Sequence, residues 1–410
     1  MKRIDLTEGG HGHEVELTPA QVGELRASEF VKVAKGSRPS FWRITSSRYV
    51  GAIRIGSGAD GVEVRIEPKL RIDRLIFLIG YAQKQHRWHQ QEIQVREAAG
   101  LLPVVAHAFA RAADRALRPG VLLGYHEIEA SIPAVVGRIR EADQLRRWYD
   151  FPLPVEVRYD DFTPDIDENR LLLAAADRLL QLTDIYDETR KLLRHLLSRL
   201  DGIGRLSPGR PLPRWQPTPL NRRYQMALGL ADLVLRGASY ELDGTPGEDS
   251  TLRADGLMVL NMWKVFENFV TTGLTNALGP YGGGCTPQDR RHHLDDARLC
   301  QLIPDLVYEQ PGPGGVPVPA AVIDAKYKIE IGPSGQNPDL FQMLAYCTVL
   351  GLDRGHLVYA EGPAEPLRHI VHGTGIEILQ HSLDLSLPPD ELLAQVAALA
   401  ADIAGAWSAA

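Results

Sequence analysis

The chain has few cysteines, no long apolar run and no surplus of basic charge, and each shortage removes a class of protein. Three cysteines, Cys285, Cys300 and Cys347, stand among 410 residues without any CxxC spacing. They are too scattered for a zinc knuckle or a disulfide framework, which predicts a reducing, cytoplasmic setting. No apolar stretch approaches the ~18 residues that a membrane-spanning helix requires. The longest candidate, around 75–81, is far shorter. The opening MKRIDLTEGG lacks the apolar core of a secretory signal. Lys plus Arg number 45 against 52 Asp plus Glu, a formal net charge of −7. That balance excludes a protein that coats nucleic acid through overall charge, although a local basic groove is compatible with it. The phosphate-cradling pattern GxxxxGK followed by Ser or Thr is absent, and the glycine-rich IGSGADG from Ile55 does not end in Lys-Ser/Thr, so it reads as a turn. The chain is not expected to bind or hydrolyse a nucleotide by itself.

What is present is an ordinary globular balance, 44% hydrophobic and 24% charged, long enough for two or three domains. Residues 1–154 read as a β-rich domain with inserted helices. YVGAIRIG (49–56) and VEVRIE (62–67) alternate between glycines as strands do, and small apolar residues recur with helical spacing over 95–118. RLIFLIGYAQKQ from Arg74 suits a buried strand or a helix equally. Residues 155–235 read as a helical connector. Over 168–200, Leu172, Leu179, Leu182, Tyr186, Leu193, Leu196 and Leu200 form one apolar stripe, on one helix or on two meeting near Thr183 and Asp184. The linker 202–224 combines five prolines with Arg205, Arg210, Arg214, Arg222 and Arg223 and no acidic residue. It is either a solvated loop or a DNA-contacting segment. Residues 236–410 read as an α/β domain: a helix from Gly256 to about Leu278, strands at 302–309, 318–328 and 355–360, a helix over 339–350 and an Ala/Leu-rich C-terminal helix.

The chemistry concentrates in that last segment. In AAVIDAKYKI, Asp324 and Lys326 stand two apart on a predicted strand and so share a face. An acid and a lysine are costly to bury there without a purpose. Asp305 opens the preceding predicted strand. If the two strands pair, the carboxylates converge, and such a pair calls for a cation, with hard oxygen ligands selecting Mg²⁺ or Mn²⁺. A metal held there can activate water against a phosphodiester, with Lys326 supplying a second cation.

Pro304-Asp305 followed by Asp324-Ala325-Lys326 resembles the signature of the PD-(D/E)xK nuclease superfamily, and QMLAY resembles the QxxxY element of its RecB-like branch. WKVFENFV, LIPDLVYE, VIDAKYKI and DLFQMLAYC, in that order, resemble the McrC family, nuclease subunits of McrBC-type modification-dependent (5-methylcytosine) restriction systems. IEPKLRI from Ile66 and DENRLLLAA from Asp167 extend the likeness loosely toward the N-terminus. The resemblance implies a C-terminal nuclease domain with a mixed central sheet flanked by helices, a motor-docking N-terminal domain, and a Mg²⁺-dependent endonuclease of double-stranded DNA, with Mn²⁺ a substitute. It implies Glu267, Asp305 and Asp324 as metal ligands, Lys326 as the catalytic lysine, and Gln342 and Tyr346 as residues that orient the lysine or touch DNA. The implied partner is a McrB-like, hexameric AAA+ GTPase or ATPase whose hydrolysis the chain stimulates. The Gly/Pro-rich PGPGGVPVP from Pro311 departs from the family pattern and is read as a hairpin extension that keeps the strand register. Two other classes compete: a non-cleaving regulatory subunit of the motor, and a hydrolase of small phosphoesters. His86 and His89 lack a third ligand nearby and are read as a surface or core pair. His292 and His293 fall in the charged loop QDRRHHLDD, where a proton-relay role is the lesser reading, and His11 and His13 stand near the terminus.

Overall fold

Branched apolar residues at alternate positions favour the pleated, half-buried surface of a sheet. β1 (Lys2–Thr7), β2 (Tyr49–Ile55), β3 (Val62–Glu67) and β4 (Asp255–Asn261) form a sheet in the order β1-β3-β2-β4. β1 lies parallel to β3, and β2 lies antiparallel to β3 and β4. Ile4, Leu6, Ile53, Ile55, Val64 and Ile66 are buried within it. Residues 56–61 have GxGxxG spacing but stand between two antiparallel strands, without the strand-to-helix context of a phosphate cradle. A smaller sheet orders His13–Glu16, Phe41–Ser46 and Val31–Lys35. The ambiguous segment from Arg74 is helical as far as Ala82, in α1 (Ile72–Ala82). The structure is a computed structural model and describes residues 2–408 apart from 29, 57–60, 83–99, 148–152, 183–184, 208–210, 237–254, 328–336 and 364. His86, His89 and Arg210 therefore lie outside the described residues.

After β4 come α2 (Met262–Leu278), β5 (Gly284–Pro287), β6 (Leu306–Pro311), β7 (Pro317–Lys326), α3 (Asn337–Leu350), β8 (Arg354–Tyr359), β9 (Leu367–Ile370), β10 (Glu377–Ser382) and α4 (Pro389–Ser408). The six strands form a mixed sheet, β5-β6-β7-β8-β10-β9, parallel across β7, β8 and β10 and antiparallel toward both edges. β7 is covered on both faces, so Ala321, Val322, Ile323 and Asp324 are buried in succession. α2 packs on α1, α4 and β7, with Phe269 against the rings of Phe77 (6.0 Å) and Tyr81 (5.5 Å). α3 lies on β8 and β7 and places Met343, Tyr346 and Cys347 in a core with Val322, Leu357 and Ile378.

Three expectations need correction. The helix expected from Gly256 begins only at Met262, because 255–261 pairs with β2 as β4. Asn261 caps the helix, its Oδ1 accepting from the backbone N–H of Trp263 (3.1 Å) and Lys264 (3.4 Å). The strand expected over 302–309 is interrupted, with β6 starting at Leu306 and leaving Asp305 outside the ladder. The hairpin at Pro311 does exist, but its register shifts between Tyr308 and Glu309, a bulge that leaves Ala320 unmatched; from Tyr308 back to Leu306 the pairing runs straight to Ile323.

The chain divides into two compact units, 1–101 with 250–410, and 102–249. These are not the segments 1–154, 155–235 and 236–410, because β4 binds the end of the chain to its beginning. The second unit contains the helices Asp167–Leu180, Asp187–Arg199 and Gln225–Arg236 and a small sheet of Gly124–Ile132, Val155–Thr163 and Arg138–Ile139. The long apolar stripe is thus carried by two helices. Among the described residues no helix is long and apolar enough to cross a membrane.

Candidate functional site

The register that pairs Leu306 with Ile323 brings Asp305 alongside Asp324. The backbone N–H of Ala325 donates to Asp305 Oδ2 at 2.8 Å and fixes that carboxylate at the end of β7. Two residues beyond Asp324, Lys326 turns back to ion-pair with its carboxylate. The Lys326 ammonium also donates to Gln342 Oε1 (2.8 Å), Gln342 Nε2 donates to the Tyr346 hydroxyl (2.7 Å), and that hydroxyl donates to the carbonyl of Ile303 (3.2 Å). Gln342 and Tyr346, one turn apart on α3, thus form a strut from the ammonium to the chain just before Asp305. Glu267 enters from α2. Its Oε1 accepts from Lys264 Nζ (2.6 Å) and from Gln288 Nε2 (2.6 Å). The same Gln288 nitrogen donates to Asp305 Oδ1 (3.0 Å), and the Gln288 backbone N–H donates to the Asp305 carbonyl (3.0 Å). The six residues singled out from sequence therefore stand in one connected network.

Gln288 is the member that sequence reasoning missed. It sits in a charged loop, TPQDRRHH, 17 positions before Asp305, and reaches the site because β5 pairs with β6. Nothing in that local pattern distinguishes it from a solvated loop residue.

The electrostatics are those of crowded, buried acid groups. Burial pushes the Asp305 carboxyl up to about 7, with Asp324 and Glu267 adding to the rise and the Ala325 N–H and Lys326 opposing it. Asp324, 2% exposed, is raised chiefly by burial, against the pull of the Lys326 ammonium. Burial, and then Asp324, raise the Tyr346 phenol. Asp339, buried at the start of α3, accepts from the Tyr359 hydroxyl at 2.9 Å and adds negative charge behind Asp324. Three carboxylates, from α2, β7 and the residue just before β6, form an all-oxygen donor set whose repulsion a hard divalent cation would relieve, so the residues fit Mg²⁺ or Mn²⁺ in chemical kind. As positioned, however, no group of three or more His, Cys, Asp or Glu among the described residues is drawn close enough to hold a metal ion.

The other candidates make contacts of their own. Arg205 ion-pairs with Asp177 (2.8 Å); Arg223 donates to the Gly120 carbonyl (3.0 Å) and lies over the Tyr224 ring. Arg214 and Arg222 are exposed. These arginines belong to the second unit. His292 lies 3.3 Å from Asp289, and His293 pairs with Gln301 in a two-residue ladder.

The comparisons with known proteins bear on the whole chain. No curated protein matches it. Among solved structures, a chain of the Thermococcus gammatolerans assembly of McrB AAA+ hexamers with bound McrC shares the fold. The TM-score is 0.56 at 16% identity, covering 98% of this chain and 100% of that one. A chain from the Thermococcus gammatolerans McrBC complex aligns at a TM-score of 0.39 and 18% identity, covering 68% of this chain and 88% of its own. The family model described as "McrBC 5-methylcytosine restriction system component" matches residues 44–360, which include Glu267, Asp305, Asp324, Lys326, Gln342 and Tyr346, and the chain belongs to that family.

Proposed function

We propose that this chain is the DNA-cutting subunit of a McrBC-type restriction system, a PD-(D/E)xK endonuclease that uses Mg²⁺ and works with an AAA+ motor. The observation that carries the reading is the meeting of Asp305, just before β6, with Asp324 of β7, with Lys326 ion-paired to Asp324 and Glu267 joined to Asp305 through one amide. Asp305, Asp324 and Glu267 would hold the cation, for which Mn²⁺ is a substitute. Bound there, it would supply Lewis acidity toward a phosphate oxygen and lower the pKa of a water. The chain's own part is to place charge. Lys326, held by Gln342 and Tyr346, keeps an ammonium beside the carboxylates, where negative charge grows on a phosphodiester under attack. The buried flank made by Tyr346 and Met343 limits water on the α3 side. The products would carry a 5′-phosphate and a 3′-hydroxyl.

The motor partner is inferred from family membership and from the Thermococcus gammatolerans assembly, in which McrC is bound to McrB AAA+ hexamers. The deciding experiment is plasmid cleavage with the cognate motor protein, nucleotide and Mg²⁺. Wild type should cut, and Lys326→Ala should lose cutting by two orders of magnitude or more while still binding the motor. Equal cutting by the two would place the chemistry elsewhere.

One observation favours a second reading, a non-cleaving subunit that activates the motor: among the described residues no three carboxylates stand together at ligating distance. Here the expected result is no cleavage by wild type while motor hydrolysis still rises. Asp305→Ala separates the roles, since on the first reading it abolishes cutting and leaves motor stimulation intact.

A further inference from the structure

Gln288 combines two features that ordinary loop residues lack. It holds φ at +49°, in the left-handed region that residues with a side chain seldom adopt, and it commits both hydrogens of its amide to carboxylates of the site. The turn is clamped by the next residue. Asp289, buried, accepts from the Arg291 backbone N–H (3.0 Å) and from its guanidinium (2.6 Å), and Arg291 reaches on to Glu309 of β6 (2.8 Å). The Gln288 backbone is tied at the same time to the carbonyl of Asp305. A strained, doubly anchored residue aimed at two acids is arranged for the site rather than for the loop.

We propose that Gln288 is a latch on the cation site: its amide NH₂ occupies the place of positive charge between Glu267 and Asp305, and a divalent cation must displace it to bind. The proposal rests on reading the carboxylate cluster as a cation site. The physical basis is direct. Two ionised carboxylates drawn together need positive charge between them, and an amide NH₂ supplies only partial charge through two hydrogen bonds. Those bonds hold Glu267 and Asp305 in place without a metal, and they are lost when the cation enters. Gln288 is thus a positioning residue that lowers the site's cation affinity and keeps the metal-free carboxylates from being driven apart by repulsion.

The test is calorimetric titration of the full chain with Mn²⁺ alone, at pH 8, comparing wild type, Gln288→Leu and Gln288→Asn. Leucine keeps the bulk and removes both donors; asparagine accepts the positive φ but is one methylene short of spanning both acids. The leucine variant should bind Mn²⁺ at least about tenfold more tightly, since tenfold is roughly what losing even one of the two charge-assisted hydrogen bonds from the metal-free state is worth. Asparagine should fall between. Gln288→Gly, relaxed at this φ, carries the same expectation as leucine should the larger variant fail to fold. Unchanged affinity in a folded donor-less variant removes the latch. Weaker binding also overturns it, since the amide oxygen would then be a ligand. If neither wild type nor any variant binds Mn²⁺, the cation-site reading itself fails, and the latch with it. Tight binding by wild type with no effect of the variants sinks the latch alone.

Discussion

At the scale of single residues, the structure sets acid against acid and resolves the conflict incompletely. With its folded pKa near 7 and an unfolded value near 3.9, Asp305 holds its proton more tightly in the native state. It therefore destabilises the metal-free protein progressively as pH rises from about 4 to 7. Asp305→Asn should abolish cutting and yet stabilise the cation-free protein at pH 8 by an amount on the order of 1–2 kcal/mol, read as a higher thermal midpoint. A lower midpoint for this variant would mean that the hydrogen bonds from Ala325 and Gln288 outweigh the repulsion. Of the site, Asp305, Asp324 and Lys326 were legible from sequence because strand periodicity puts Asp324 and Lys326 on one face and the resemblance to the PD-(D/E)xK signature singles out Asp305 before them. Asp305 nevertheless lies outside the ladder that it was expected to open. Gln288 was not, since a tertiary strand pairing, not a local pattern, carries it 17 positions to its partner.

At the scale of elements, the parallel core of the second sheet tolerates little change. A methyl group at Gly355, on β8, would lie 2.5 Å from Met343 Sδ and 2.6 Å from Cys347 Sγ of α3. Gly355→Ala should cost roughly 1–3 kcal/mol by forcing α3 outward, and because α3 carries Gln342 and Tyr346, DNA cutting should fall with stability. Measuring both in one variant checks that coupling. β8 and β10 also bury a histidine pair, His356 Nδ1 lying 3.0 Å from His381 Nε2. Burial presses His381 down to about 4 and, with His381 and Arg354 adding to the effect, His356 to about 3. Both rings are neutral in the fold and take protons on unfolding, so their contribution is complete above about 6.5 and is lost as pH falls toward 4. At pH 5 the loss for one ring is about 2 kcal/mol. This trend opposes that of Asp305 over the same range, so the titration is cleanest in the Asp305→Asn background, where His381→Gln should flatten the acid limb of the stability curve. An unchanged limb would place the acid sensitivity elsewhere. β4 shows why one element was misread: GLMVLN continues the apolar rhythm of the helix after it, and only its ladder to β2 makes it a strand.

At the scale of the whole molecule, the acidic balance of −7 leaves DNA affinity to local groups and to the partner. The arginine-rich linker is the basic tract in question. Charge reversal at Arg210 and Arg214 should weaken duplex binding at low salt and shallow its salt dependence by up to ~2 in logarithmic slope. Unchanged affinity at low salt would make the linker a spacer. The alternation of strands and helices in the last third was readable in the sequence; the division of the chain was not, because nothing local announces that β4 returns to the first sheet. That return has a consequence for biosynthesis. Residues 102–249 are contiguous and emerge from the ribosome as a complete unit, whereas β1, β2 and β3 must wait for β4, and the carboxylates for the strands after it. Vectorial synthesis therefore finishes the inserted unit first and assembles the acid cluster afterwards, so a nascent chain stalled anywhere short of Lys326 lacks the assembled cluster of carboxylates and lysine.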